Sequence, residues 1–273
     1  MTLYVVGTPI GNMEDISLRA LRILGEVPLI AAEDTRKTRR LLTKFDLKTV
    51  ITSYHEHNSL AKLPRLLEHL KERDLALVSE AGMPGLSDPG FELISAAIES
   101  AIPVVPIPGP SAVVTALVVS GLPVHQFTYV GFLPRRKAER RRLLTSLAQE
   151  PRTIIAFEAP HRINATLQDI CEILGQRPLA VCRELTKLHE EVFRGTASDA
   201  LEHFQEPRGE ITLVIEGNLS EREGLTDEAL KEKLARLRKR GVGAREAVKL
   251  VSQAHGIPRN RVYRAWLEVT KRD

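Results

Sequence analysis

The chain has 273 residues, 43% of them apolar and 27% charged, and a formal net charge of +4. That allows two domains with a substantial core and is ordinary for a soluble globular protein. No apolar run is long enough to cross a bilayer and "MTLYVVGTPIGN" lacks the features of a secretory leader; the two cysteines, Cys171 and Cys182, fit a reduced cytoplasmic chain rather than a disulfide framework or a zinc site.

The first predicted strand, "LYVVG" (3–7), is followed by a helical pattern in "ISLRALRILG" and a second strand in "PLIAAE" (28–33). Then come a helix in "SLAKLPRLLEHLKER", a strand in "LALVSE" (75–80), a helix in "FELISAAIES", a strand in "PVVPI" (103–107) and a helix in "SAVVTALVVSG". Gly121 and Pro123 break the pattern near "SGLPVHQ". Beyond them lie strands in "TIIAFE" (153–158), "LAVCREL" (179–185) and "ITLVIEG" (211–217), with a helix in "INATLQDICEILG". Strands that are nearly continuous in apolar residues and alternate with helices predict a mostly parallel α/β sheet covered on both faces. The expected organisation is two α/β subdomains, 1–121 and 122–218.

A polar stretch at 219–228 reads as a linker. Helical patterns follow at 226–240, 244–255 and 259–270, separated by the turn signals "RGVG" and "HGIP". They predict a small all-helical domain, 226–273, like a helix-turn-helix. From Leu225 onward there are 13 Lys and Arg against 6 Asp and Glu, a balance of +7 on a body of −3. Such a tail points to a polyanionic partner, with Arg259, Arg261 and Arg264 on its last helix as candidates. A second basic run, "PRRKAERRR" (134–142), offers Arg135, Arg136, Lys137, Arg140, Arg141 and Arg142 for phosphate contact, with a solvated helix face as the plainer alternative.

Open α/β folds bind ligands beyond the carboxyl ends of their strands. Here those ends read "VGTPIGN", "AAEDTR", "SEAGMPGLSDPG", "PIPGPSA" and "FEAPHR", five loops rich in Gly, Pro and charge that predict one binding crevice. No dinucleotide fingerprint, P-loop, zinc-protease motif or nucleophile elbow is present, and "HEH" (55–57) is too isolated to predict a metal site. Glu80 ends an apolar strand, where a carboxylate is costly unless paired or used. Asp88 before Pro89 reads mainly as a helix N-cap.

The ordered series "VGTPIGN … IAAEDTR … HEHN … LVSEAGMPGLSDPG … PIPGPSA … GFLP … APHR … RELTK … GEITLVIEG" closely resembles the tetrapyrrole methylase superfamily, and within it the branch that acts on ribosomal RNA, which "AAEDTR" and "HEHN" separate from the porphyrin enzymes. The resemblance spans residues 3–217 and extends into the helical tail. It implies an S-adenosyl-L-methionine enzyme that methylates the ribose 2′-oxygen of a cytidine (cytidine-1402) in 16S rRNA of the small ribosomal subunit, working as a homodimer with the cofactor held in a cleft between the two α/β subdomains. It implies cofactor contacts at Pro9, Ser79, Glu80, Ala81, Gly82, Ser111, Ala112, Ala159 and Thr212, with Asp88 a secondary one. "MPGLSDPG" departs from the family's shorter pattern, so contacts within 82–87 stay open.

A ribose hydroxyl is a poor nucleophile, and positioning or a general base must compensate. Glu33, Asp34, His55, Glu56, His57, Glu80 and His161 are candidates, with Glu80 and the Glu33/Asp34 pair preferred. Arg36 and Arg162, with His55 and His57, could hold flanking RNA; for the two arginines a salt bridge to neighbouring carboxylates is the alternative. A tetrapyrrole C-methyltransferase and a non-catalytic RNA-binding ribosome-assembly factor are the competing readings.

Overall fold

The computed structural model describes residues 1–218, 227–255 and 259–270. The predicted linker and the "HGIP" turn fall largely outside the described residues. Strands β1 (Leu3–Val6), β2 (Leu29–Ala32), β3 (Val50–Ser53), β4 (Leu75–Val78) and β5 (Val104–Ile107) form a fully parallel sheet in the order β3-β2-β4-β1-β5. Helices α1 (Leu18–Glu26), α2 (Thr35–Lys44), α3 (Ser59–Glu72), α4 (Phe91–Glu99) and α5 (Ala112–Val119) alternate with them. Central β4 is buried at every position, as a continuous apolar strand under two helical layers requires.

The second sheet corrects the expectation of parallel strands. β6 (Phe127–Phe132), β7 (Thr153–Glu158), β8 (Leu179–Arg183), β9 (Glu191–Gly195) and β10 (Ile211–Ile215) lie in the order β6-β7-β10-β8-β9, and only β6 and β7 run parallel. Short connections such as the one from β8 to β9 leave no room for a crossover helix, which parallel neighbours need. Helices α6 (Lys137–Ser146), α7 (Ile163–Leu174) and α8 (Ala197–His203) cover its outer face through Leu144, Leu167, Ile170 and Ala200.

The lobes share a core. Ile10 and the α5 residues Val113, Ala116 and Leu117 pack against Ile155, Ala180, Cys182 and Val214 of the second sheet. Arg194 of β9 donates from Nε to the Val119 carbonyl (3.1 Å), tying the carboxyl end of α5 to that lobe. Three further helices, α9 (Asp227–Lys239), α10 (Ala244–His255) and α11 (Arg259–Thr270), enclose a separate small core of Leu230, Leu234, Ala247, Val251, Val262 and Trp266. Among the described residues no helix is long and apolar enough to cross a membrane.

One close approach fixes how the loops after β1 and β5 meet. A Cβ built on Gly109 would lie 2.8 Å from the Gly7 backbone, and one on Gly7 2.7 Å from the Met83 sulfur. Backbone cannot yield as a flexible side chain can. Gly109→Ala should therefore cost about 1–3 kcal/mol in denaturant unfolding, the usual range for overpacking; wild-type stability would show that the two loops can separate freely.

Candidate active site

The loops at the carboxyl ends of the first sheet, with the carboxyl ends of β6 and β7 and the amino end of β10, enclose a cleft of about 470 Å³ between the lobes. Its walls are apolar (Ile10, Met83, Leu86, Val113, Phe132 and Phe157), while Glu33, Glu80 and Asp88 supply carboxylates. A pocket of about 220 Å³ shares Ile10, Glu80, Ala81 and Glu210 with this cleft and adds Pro9, Lys37, Arg40, Ser79 and Lys187. The first volume lies in the range of small-molecule sites.

The floor is built by pairing loops. Thr8 and Gly82 exchange backbone hydrogen bonds of 2.9 and 3.0 Å, so the loop after β1 and the loop after β4 form one surface. Gly82 adopts φ +79°, the left-handed region that favours glycine. Ser79 is buried, its hydroxyl within 3.2 Å of the Ala81 carbonyl. The segment 83–87 has two duties. Met83 fills the space against Gly7, and Ser87 reaches the second lobe by a 2.7 Å hydrogen bond with the Tyr129 hydroxyl.

The carboxylates form a connected group. The Glu80 backbone N–H donates to Glu33 Oε2 (2.9 Å), and the Glu80 side chain is ion-paired with Lys37. Asp34 instead caps α2, accepting from the N–H groups of Arg36 (2.7 Å) and Lys37 (3.1 Å). These backbone donors hold its carboxyl below the usual range, suiting it as a cap rather than a proton acceptor.

Asp88 overturns the cap reading. The N-cap of α4 is Gly90, at φ 149°, with no side-chain cap. The chain turns between Asp88 and Phe91, so the carboxyl is left beside the cleft. Burial, then the nearby charges of Glu33 and Glu80, push its pKa up to about 7, against a hydrogen bond from Ser79. Sequence patterning missed this because Asp-Pro before a helix is the ordinary capping signal. It also missed Lys37, one turn beyond the "AED" carboxylates.

The opposite wall is set by Ser111, Ala112, Ala159 and Thr212, all lining the cleft. Ser111 is the N-cap of α5 but makes no side-chain cap bond, which leaves the first N–H groups of α5 without a capping oxygen. Ala159 behaves differently: its N–H donates to Glu158 Oε1 (2.7 Å) and is spent within the protein. Buried Glu158 also accepts from the Thr166 hydroxyl (2.5 Å) and pairs with Arg162.

Arg162 is therefore corrected as an RNA contact. It is committed to Glu158 and to the Leu133 carbonyl (3.2 Å). Arg140 is corrected as well. It is buried, bonded through Nη2 to Asp169 Oδ2 at 2.7 Å, while Arg141 bridges Asp169 and Glu172 and Arg136 pairs with Glu139. The acids opposite this basic run lie on α7, some 30 residues away in sequence, and only the fold brings them together. Arg135, Lys137 and Arg142 remain exposed.

His55 belongs to the turn that starts α3, its N–H donating to Asn58 Oδ1 (2.9 Å) and its ring Nε2 lying 3.0 Å from Asn58 Nδ2. His57, Glu56 and His161 are exposed, and none of these four lines the cleft. Arg259, Arg261 and Arg264 are exposed on α11, with Arg261 paired to Asp227 (2.9 Å).

Comparison with known proteins agrees with this architecture. Residues 2–201 match the family of tetrapyrrole (corrin/porphyrin) methylases. A relative from Halalkalibacterium halodurans, named ribosomal RNA small subunit methyltransferase I, is 46% identical over 96% of this chain and 93% of its own. A relative of the same name from Thermotoga maritima is 51% identical over 218 residues, 79% of this chain and 98% of its own. Among solved structures, uroporphyrin-III C-methyl transferase from Thermus thermophilus complexed with S-adenyl homocysteine superposes with a TM-score of 0.56 at 20% identity, over 79% of this chain and 97% of its own. The chain thus belongs to the ribosomal RNA small subunit methyltransferase I family of the tetrapyrrole methylases.

Proposed function

We propose that this protein transfers a methyl group from S-adenosyl-L-methionine to the ribose 2′-oxygen of a cytidine, cytidine-1402, in 16S rRNA of the small ribosomal subunit. The observation that carries the reading is the group Glu33, Glu80 and Asp88, tied to Lys37 and set at one side of an apolar two-lobed cleft.

The donor set fits the cofactor. Apolar walls suit an adenosine, the carboxylates suit a sulfonium cation, and the uncapped start of α5 suits an amino-acid carboxylate. Ser79, Glu80, Ala81, Gly82, Ser111, Ala112 and Thr212 would hold it, with Pro9 and Ala159 shaping the ends. Bound there, the cofactor supplies an electrophilic methyl group on sulfur. A 2′-hydroxyl attacking that methyl must lose its proton, and Asp88, a cleft carboxyl whose pKa burial pushes up to about 7, would accept it beside Glu33 and Glu80. Lys37 fixes Glu80, and Phe132 and Phe157 supply apolar wall on the second lobe.

The protein is expected to act in the cytoplasm as a homodimer, for which exposed Phe91, Ile98, Val114 and Val118 on α4 and α5 offer an apolar contact surface. Small subunits lacking the modification, incubated with methyl-labelled cofactor, should take label into 16S rRNA at a single cytidine whose 3′ linkage resists alkali. Label on a base, or on a tetrapyrrole instead of RNA, would overturn the reading.

A further inference from the structure

Helix α2 carries a basic face of which the cleft carboxylates engage Lys37 alone. Its buried residues are Thr38, Leu41 and Leu42, which seat it on the first lobe. Arg36, Lys37, Arg39, Arg40 and Lys44 are exposed, and no acidic residue lies within the helix. Among the described residues Lys37 is the only one of the five held in a salt bridge, to Glu80.

Arg36, Arg40 and Lys44 follow one another at intervals of four, about 6 Å apart along the axis, and like charges so placed destabilise a helix. Arg36, Arg39, Arg40, Thr43 and Lys44 line a shallow open depression of about 540 Å³. The helix starts at the Asp34 cap beside the cleft carboxylates, and Lys37 and Arg40 line the smaller pocket that adjoins the cleft. A continuous cationic surface thus runs outward from the site.

We infer that the exposed face of α2 is a phosphate track that grips the backbone of the RNA strand next to the methylated nucleotide. The inference rests on the proposed RNA substrate and names where the lobes hold it. Its contrast is α6, whose arginines are largely neutralised by α7. The Thermotoga maritima relative is covered almost fully by 218 aligned residues, the length of the two lobes here.

The test is the full-length triple variant Arg39→Gln/Arg40→Gln/Lys44→Gln, which keeps side-chain length on an exposed face. Binding to small subunits is measured from 50 to 300 mM salt, with cofactor binding by calorimetry and the melting temperature as controls. The slope of log K against log salt should fall by about 2, from about 0.7 per single-strand phosphate, and KM for subunits should rise roughly tenfold or more at unchanged cofactor affinity. An unchanged slope and KM in the variant, with wild type active on subunits, overturns the track and leaves the function standing. A wild type that neither binds nor methylates RNA overturns both. Should the triple variant melt early, Arg39→Gln/Lys44→Gln, which spares the pocket-lining Arg40, is read by the same slope, with an expected fall of about 1.4.

Discussion

Asp88→Asn is expected to slow methyl transfer by about 10²–10⁴-fold, the usual contribution of a general base, and at the same time to raise stability above neutral pH. The two effects have one cause. Asp88 sits half-buried beside Glu33 and Glu80, with Lys37 committed to Glu80 and the Tyr129 hydroxyl across the lobe boundary bonded to Ser87. Its pKa is about 7 in the fold against 3.8 as the ordinary value. Between those values the native state binds the proton that the unfolded chain releases. Stability contributed by the protonated form is therefore lost as pH rises from about 4 through about 7. Asparagine cannot ionise, so the variant should match wild type near pH 4 and melt higher at pH 8. Single-turnover rates of wild type should rise with pH and level off near or below 7, since a bound sulfonium favours the carboxylate. A variant with wild-type rates, or with the same melting difference at both pH values, would remove Asp88 from the role. Glu80→Gln offers an independent check, because it releases Lys37 and should slow turnover without the gain in stability.

What the sequence made legible follows the physics of burial. Central strands such as β4 and β10 are sealed on both faces and read as apolar runs. Three strands on the sheet edges, β3, β6 and β9, were not predicted: half-exposed edges carry mixed residues such as "VITS" and "EVFRG" and need no apolar run. The antiparallel pairing of the second sheet has no local signature, since β8 and β10 look as apolar as parallel strands do. Helix α2 buries only three residues, so its pattern is mostly charge and was hidden behind "AAEDTR". At the site, loop composition located the cleft. It did not assign duties within it, because Asp34 and Asp88 both precede helix starts and only the path of the backbone decides which one caps. The same limit applied to the basic run 134–142, whose partners are remote in sequence.

That run supports the second large effect. Asp169→Ala should destabilise the protein by about 3–5 kcal/mol, because it leaves Arg140 buried and unpaired. Asp169 is 1% exposed and Arg140 4%. Arg140 reaches Oδ2 from Nε (2.9 Å) and Nη2 (2.7 Å), and Arg141 reaches Oδ1 (2.7 Å). Burial alone would raise the Asp169 carboxyl; hydrogen bonds from Arg141 and Arg140 outweigh it and leave the group below its ordinary 3.8. The stabilisation is therefore present above about pH 4 and lost as pH falls below it, so the variant and wild type should converge in acid. At neutral pH the melting temperature should drop by roughly 10 °C. Restoring an apolar pair, Arg140→Met with Asp169→Leu, should recover much of the loss, since a well-packed replacement spares both desolvation costs. A drop of less than about 1 kcal/mol in Asp169→Ala would mean that water reaches Arg140 and the pair is not sealed. The contrast with α2 is the sharper reading. Arg140→Gln should lower stability with little change in the salt dependence of RNA binding, whereas the α2 triple variant should change salt dependence with little change in stability. The two basic runs are alike in sequence; what separates them is α7, which supplies acids to one, while the other meets solvent.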